Sequence, residues 1–133
     1  MEGNESLEKA KQLIDRGNTY YNQGKYADAE KMYKQALEIL KKYYGDEDPD
    51  IAEVLINLGD VYAKQGRYDD AEKMHKQALK ILRKLYGDNH PAVANVLNNL
   101  GNVYVKQGRS ADAEKMHKQA EEIRRKLSES GES

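Results

Sequence analysis

Asparagine recurs at helical spacing in the last third of this chain: Asn95, Asn98, Asn99 and Asn102 fall on one stripe that continues to Lys106, with Val105 alongside. Asparagine is a poor helix former, so four of them on one helical face need a reason beyond propensity. Its amide carries two donors and an acceptor and can pair with both the N–H and the C=O of an extended peptide. The same stripe read 42 residues earlier is Glu53, Ile56, Asn57, Asp60 and Lys64. Read 42 residues earlier again it is Lys11, Ile14, Asp15, Asn18 and Asn22, with Tyr21 beside it. The candidate peptide-holding residues are therefore Lys11, Asn18, Tyr21, Asn22, Ile56, Asn57, Asp60, Lys64, Asn95, Asn98, Asn99, Asn102 and Lys106. Lys11, Lys64 and Lys106 stand against Asp15, Glu53 and Asp60, so the stripe is close to neutral. The competing interpretation is a solvated face whose amides bond to water or between neighbouring units.

Other chemistry finds less support. His75 and His117 occupy the same place in successive copies, but two imidazoles without a third recurring ligand make a weak metal site. The first copy carries Tyr33 there, which favours a packing role beside a neighbouring helix. His90, before Pro91, reads as turn chemistry. Cysteine is absent, which removes thiolate ligands, disulfides and thiol nucleophiles together. No phosphate loop, nucleophile motif or catalytic carboxylate pair is present, so the expectation is a non-enzymatic protein without cofactor or metal.

The elements that must carry the stripe follow from a repeat. Asp70 to Ala78 returns letter for letter at Asp112 to Ala120, and at Asp28 to Ala36 with Tyr33 in place of His75. Self-similarity at this period means stacked supersecondary units, none of which buries its apolar face alone. In the middle copy Ile51, Val54, Leu55, Leu58 and Tyr62 follow helical spacing, which predicts a first helix over 50–65 with Asp48 as N-cap and Pro49 in its first turn. Gly66 ends it. Asp69, with Glu72 three residues on, predicts a capping box for a second helix over 70–86, with Met74, Ala78, Ile81, Leu82 and Leu85 inward. Gly17, Gly59 and Gly101 sit inside the first helices, where glycine costs about 1 kcal/mol relative to alanine. A cost repeated three times implies close helix approach, with Ala71, Ala78 and their equivalents expected opposite. The reading is all-α: a right-handed α-solenoid of three helix–turn–helix units.

Leu55-x-x-Leu58-Gly59-x-x-Tyr62, then Ala71, His75 and Ala78, resembles the tetratricopeptide repeat. Leu97-Asn98-Asn99-Leu100-Gly101, Lys106-Gln107-Gly108-Arg109 and Tyr86-Gly87-Asp88-Asn89-His90-Pro91 are similar to the 42-residue variety of kinesin light chains and related bacterial arrays. The resemblance covers about residues 7–127. It implies a scaffold whose first helices line a concave groove, with asparagines holding peptide backbones. Kinesin light chain grooves are basic and take acidic, aromatic-anchored peptides, and this near-neutral stripe departs from them. The carboxylate clamp of chaperone-binding relatives also fails: Asn18 matches one clamp position, but Ile14, Asp60, Asn98 and Asn102 replace other expected clamp residues.

The ends of the array differ from its middle. Ile51, Val54, Leu58 and Val61 become Lys9, Gln12, Arg16 and Thr19 in the first copy, where no unit precedes. Leu79, Leu82 and Tyr86 become Glu121, Arg124 and Ser128 in the last, where none follows. Polar ends are what a soluble solenoid requires, and they predict a monomer. Elsewhere the copies are more alike than drifting repeats, which points to an engineered or consensus-derived array. The alternative is a bacterial array excised from a longer chain, whose young repeats have not diverged, and the polar ends argue against it. The expected layout is an N-terminal tail over 1–6, repeats over 7–48, 49–90 and 91–127, and a disordered tail over 128–133. A net charge of −1 leaves no basic excess for nucleic acid, and no apolar run approaches the roughly 20 residues of a spanning helix. The start Met1-Glu2-Gly3-Asn4-Glu5 does not read as a signal peptide. Location in the cell is not encoded, and the expected partner is an extended peptide or protein segment.

Overall fold

Asp48 and Pro49 show how each unit is punctuated. In the computed structural model, which describes residues 2–131, the Asp48 carboxylate accepts the Asp50 N–H at 2.9 Å and Pro49 opens the helix. Six helices follow one another: α1 (Glu2–Asn22), α2 (Tyr26–Tyr44), α3 (Pro49–Lys64), α4 (Tyr68–Tyr86), α5 (Pro91–Lys106) and α6 (Ser110–Glu129). No strand occurs among the described residues. His90 takes the place of Asp48 in the third unit, its Nδ1 accepting the Ala92 N–H at 3.1 Å while its ring stacks on Tyr86 with centroids 4.4 Å apart. The turn chemistry expected of His90 is thus an N-cap for α5.

Gly66, with φ of +74°, donates its N–H to the Ala63 carbonyl at 3.0 Å, and Arg67 donates to Tyr62 at 2.8 Å. This paired closure reverses the chain within two residues, and Gly24 and Gly108 repeat it. The reversal is so tight that the Arg67 carbonyl already accepts the Ala71 N–H at 3.0 Å. The capping box expected from Asp69 and Glu72 therefore does not form. The cap position is Arg67, without a side-chain bond, and both carboxylates turn to the next unit instead.

Within each unit the two helices lie against one another, and α2 and α4 pack in turn on α3 and α5. Ile51, Val54, Leu58 and Val61 are buried, as are Val93, Val96, Leu100 and Val103. Each large apolar side chain so removed from water contributes on the order of 1.5–3 kcal/mol. The polar replacements at the first end, Lys9, Gln12, Arg16 and Thr19, are exposed. Leu85, expected inward, is instead 41% exposed. It lies in the last turn of a 19-residue helix whose partner α3 has 16, so less of α3 remains to cover it.

The termini are more helical than expected. α1 already runs from Glu2, because Gly3 and Ser6 lie against Tyr43 of α2: the Tyr43 hydroxyl donates to Ser6 Oγ at 3.3 Å. α6 continues through Ser128 and Glu129. Met1, Glu132 and Ser133 of the expected tails lie outside the described residues.

A polar staple joins successive units. Glu72 of α4 accepts from the Tyr104 hydroxyl at 3.2 Å and from Arg109 Nη1 at 3.0 Å, while Arg109 lies 4.2 Å over the Tyr104 ring. Glu30, Tyr62 and Arg67 repeat the arrangement between the first and second units. Burial alone would raise the Glu72 pKa, but bonds from Lys76, Gln107 and Tyr104 outweigh it and hold the carboxylate below its ordinary value. Glu114 is the counterpart in the third unit; it pairs with Lys118 on its own helix. Glu72→Ala is expected to cost about 2 kcal/mol in urea unfolding, since it leaves the Tyr104 hydroxyl without an acceptor and takes from Arg109 its bond to the preceding unit, leaving it only Asp112 and Gln107. Glu114→Ala is expected to cost under about 0.5 kcal/mol, as an exposed pair does. Equal costs would show that the staple adds nothing.

Candidate peptide-binding groove

The glycines inside α1, α3 and α5 set the depth of the groove floor. A Cβ on Gly17, Gly59 or Gly101 would stand 2.6, 2.6 or 2.4 Å from the rings of Tyr33, His75 and His117. Close approach was expected, but rings rather than Ala71 and Ala78 lie opposite the glycines; those alanines are buried elsewhere in the core. The second helix of each unit thus lays one ring over the glycine of the first. The ring's polar edge then meets the residue after that glycine.

This contact differs in each copy. The Tyr33 hydroxyl donates to Asn18 Oδ1. His117 Nε2 lies 3.2 Å from Asn102 Oδ1, within bonding distance. His75 Nε2 lies 3.6 Å from Asp60 Oδ1, which is too long for a hydrogen bond. His75 is only 1% exposed and its Nδ1 has no partner, so burial pushes its pKa down to about 4 and the ring is neutral at pH 7. Burial in turn raises the Asp60 carboxyl to about 6, against a smaller opposing pull from Lys64. Burial lifts Tyr33 further, to about 12, helped by Asp60 and Tyr21.

Two hollows meet at Asp60. The first, of about 280 Å³, is lined by Asn18, Tyr21, Asn22, Tyr33, Asn57 and Asp60. The second, of about 200 Å³, is lined by Asp60, Ala63, Lys64, Tyr68, His75, Asn99, Asn102, Val103 and Lys106. Nine of the expected residues therefore come together in one furrow across α1, α3 and α5. The other four do not join them. Lys11 lines a separate crevice of about 690 Å³ near the N-terminal end, with Leu7, Ile14, Leu40, Tyr44 and Glu53. Ile56 is half-buried against the core. Asn95 is taken by Arg124 Nη2 at 2.7 Å, and Asn98 lines neither hollow. Ile56 and Asn98 share one place in the stripe, about 100° round the helix from the neighbouring place held by Asn57 and Asn99, which turns them off the furrow.

The stripe did not reveal Tyr33, Tyr68 and His75, which reach the hollows from α2 and α4. The substitution of histidine for Tyr33 within otherwise repeated letters was the available signal. His75 and His117 each face their own unit's polar partner rather than one another. Among the described residues no group of three or more His, Asp or Glu is placed to hold a metal. Among them, too, no helix is long and apolar enough to cross a membrane.

Stacked helical hairpins with a polar inner furrow define the class of helical-repeat scaffolds. Within that class the chain belongs to the tetratricopeptide repeat family, which matches residues 9–84 and 50–126. The crystal structure of BtubC (BKLC) from P. vanneervenii superposes with a TM-score of 0.84 at 30% identity, over 90% of this chain and 48% of that one. The kinesin light chain-type, nearly identical TPR-like repeats of Podosopora anserina reach a TM-score of 0.81 at 20% identity, over 93% of this chain and 59% of that one. The TPR domain of Arabidopsis FLU gives 0.77 at 20% identity, over 86% and 93%. The last two likenesses are of fold alone. The chain spans about half the length of the BtubC chain, at 48%. No curated protein matches it in sequence. The family is in general a non-enzymatic scaffold for protein interaction.

Proposed function

We propose that this chain is a non-enzymatic repeat scaffold that holds an extended peptide or protein segment along the furrow of α1, α3 and α5, and that it does so as a monomer. The observation that carries the reading is the continuity of the two hollows, with Asn57 in one, Asn99 in the other and Asp60 common to both. An extended chain advances about 3.3 Å per residue, so a few residues suffice to run from one hollow to the next. Half-buried amides at Asn57 and Asn99 can then pair with its backbone from alternate positions.

The exposed polar residues at both ends support a monomer, and near-identical copies between them support an engineered or consensus origin. The same near-identity favours a second reading, a purely structural array without a ligand of its own. Titration with a pool of extended peptides, followed by NMR of the side-chain amides, separates the two. Shifts confined to Asn57, Asn99, Asn102 and their neighbours are expected. Silence across the pool would leave the structural array.

A further inference from the structure

The first hollow contains one charged group, and nothing in the protein satisfies it. Asn18 and Asn102, at the positions equivalent to Asp60, each have a ring edge from the second helix of their own unit within bonding distance. Asp60 has none: His75 Nε2 stays 3.6 Å away, and no lysine or arginine approaches within ion-pair distance among the described residues. Lys64 lines only the second hollow, where Lys106 joins it. A carboxylate 41% exposed, with one side against a buried imidazole and the other toward a small polar hollow, has no donor in the protein and is open to one from a ligand.

From this arrangement, and resting on the groove reading above, we infer that the first hollow is a subsite for a basic side chain, arginine or lysine, of the bound segment. A guanidinium there donates charge-assisted bonds to Asp60 and has the Asn57 and Asn18 carbonyl oxygens as further acceptors. Tyr21 supplies an aromatic wall against which a cation is attracted, and its edge contact with Tyr26, centroids 5.6 Å apart, holds that ring in place. An acidic side chain would meet Asp60 as a like charge. An apolar one would cover the carboxylate without pairing it, at the full desolvation cost. The preference is opposite in sign to that of a basic groove, and it comes from Asp60 standing where the other two copies have asparagine.

The test uses three pools of acetylated, amidated heptapeptides with randomised flanks and a central arginine, norleucine or glutamate. Each is titrated against the full chain and against Asp60→Asn, with side-chain amide shifts of Asn18 and Asn57 as readout. Asparagine already stands at this place in the first and third units, so the variant keeps the fold. The arginine pool is expected to bind wild type about tenfold more tightly than the norleucine pool, and to lose most of that margin on Asp60→Asn. Equal binding of arginine and norleucine pools, or a margin that survives in Asp60→Asn, would overturn the basic subsite and leave the peptide groove standing. No shift with any pool would overturn both.

Discussion

Gly59→Ala is expected to lose about 2–3 kcal/mol in urea unfolding, the range of an overpacked core, although alanine is the better helix former by about 1 kcal/mol. The new methyl would lie 2.6 Å from both Cε1 and Nε2 of His75. The ring cannot swing clear, because it is 1% exposed and enclosed with its Nδ1 unpartnered. Relief has to come from parting α3 and α4, which loosens the packing of both Leu58 and Ala78. Gly101→Ala puts its methyl at 2.4 Å from His117, nominally a worse clash. Yet His117 is only half-buried on α6, the last helix of the stack, and its ring can tilt outward. Gly101→Ala is therefore expected to cost under about 1 kcal/mol, part of it recovered through helix propensity. His75→Ala in the Gly59→Ala background should restore part of the loss, a coupling that a double-mutant cycle reads directly. If Gly59→Ala is as stable as wild type, the ring-over-glycine contact does not set the spacing of the two helices.

That pair of glycines also shows what the sequence could and could not disclose. Glycine three times at one helical position announced a close approach, because only steric need justifies a recurrent propensity cost. What approached was not evident: alanines were the natural guess, and the answer was a ring from the partner helix. The helices themselves were legible from apolar spacing and from Pro49, Gly66 and Gly87, since these act locally. The capping box failed for the opposite reason. Asp69 and Glu72 had the right letters for a local role, but Gln107, Tyr104 and Arg109 of the following unit were better partners, and no single-copy pattern displays them. Aligning the copies would have hinted at it, since Glu30, Tyr62 and Arg67 recur as Glu72, Tyr104 and Arg109 while the first unit carries Lys25 in place of the arginine. The groove was half legible. One face of α1, α3 and α5 could be read by periodicity, whereas the rings that close the hollows from α2 and α4 are a tertiary matter.

Acid stability should separate wild type from Asp60→Asn, because His75 and Asp60 pull in opposite directions over the same pH range. The buried His75 has a pKa near 4 in the folded chain against an ordinary 6.5. As pH falls from 6.5 to 4 the unfolded chain takes up a proton that the folded chain refuses, so stability is lost. Asp60 has a folded pKa near 6 against an ordinary 3.8. Over the same fall the folded chain takes up a proton that the unfolded chain does not, so stability is gained; that contribution is complete below 3.8 and disappears as pH rises through 6. The Asp60 side chain is 41% exposed, so water screens its share, and in wild type its gain offsets part of the loss from His75 between pH 4 and 6. Asparagine cannot take up the proton, so in Asp60→Asn the loss from His75 stands alone, approaching 1.4 kcal/mol per pH unit and on the order of 3 kcal/mol in all. Glu30 and Glu72, whose carboxylates are held below their ordinary pKa, lose their contribution in acid in both proteins and cancel from the difference. Urea unfolding at half-unit steps from pH 7 to 4 is the measurement. The stability difference between wild type and variant should widen steadily below pH 6, in favour of wild type. Parallel curves would mean that His75 and Asp60 are not the opposed pair that their burial makes them.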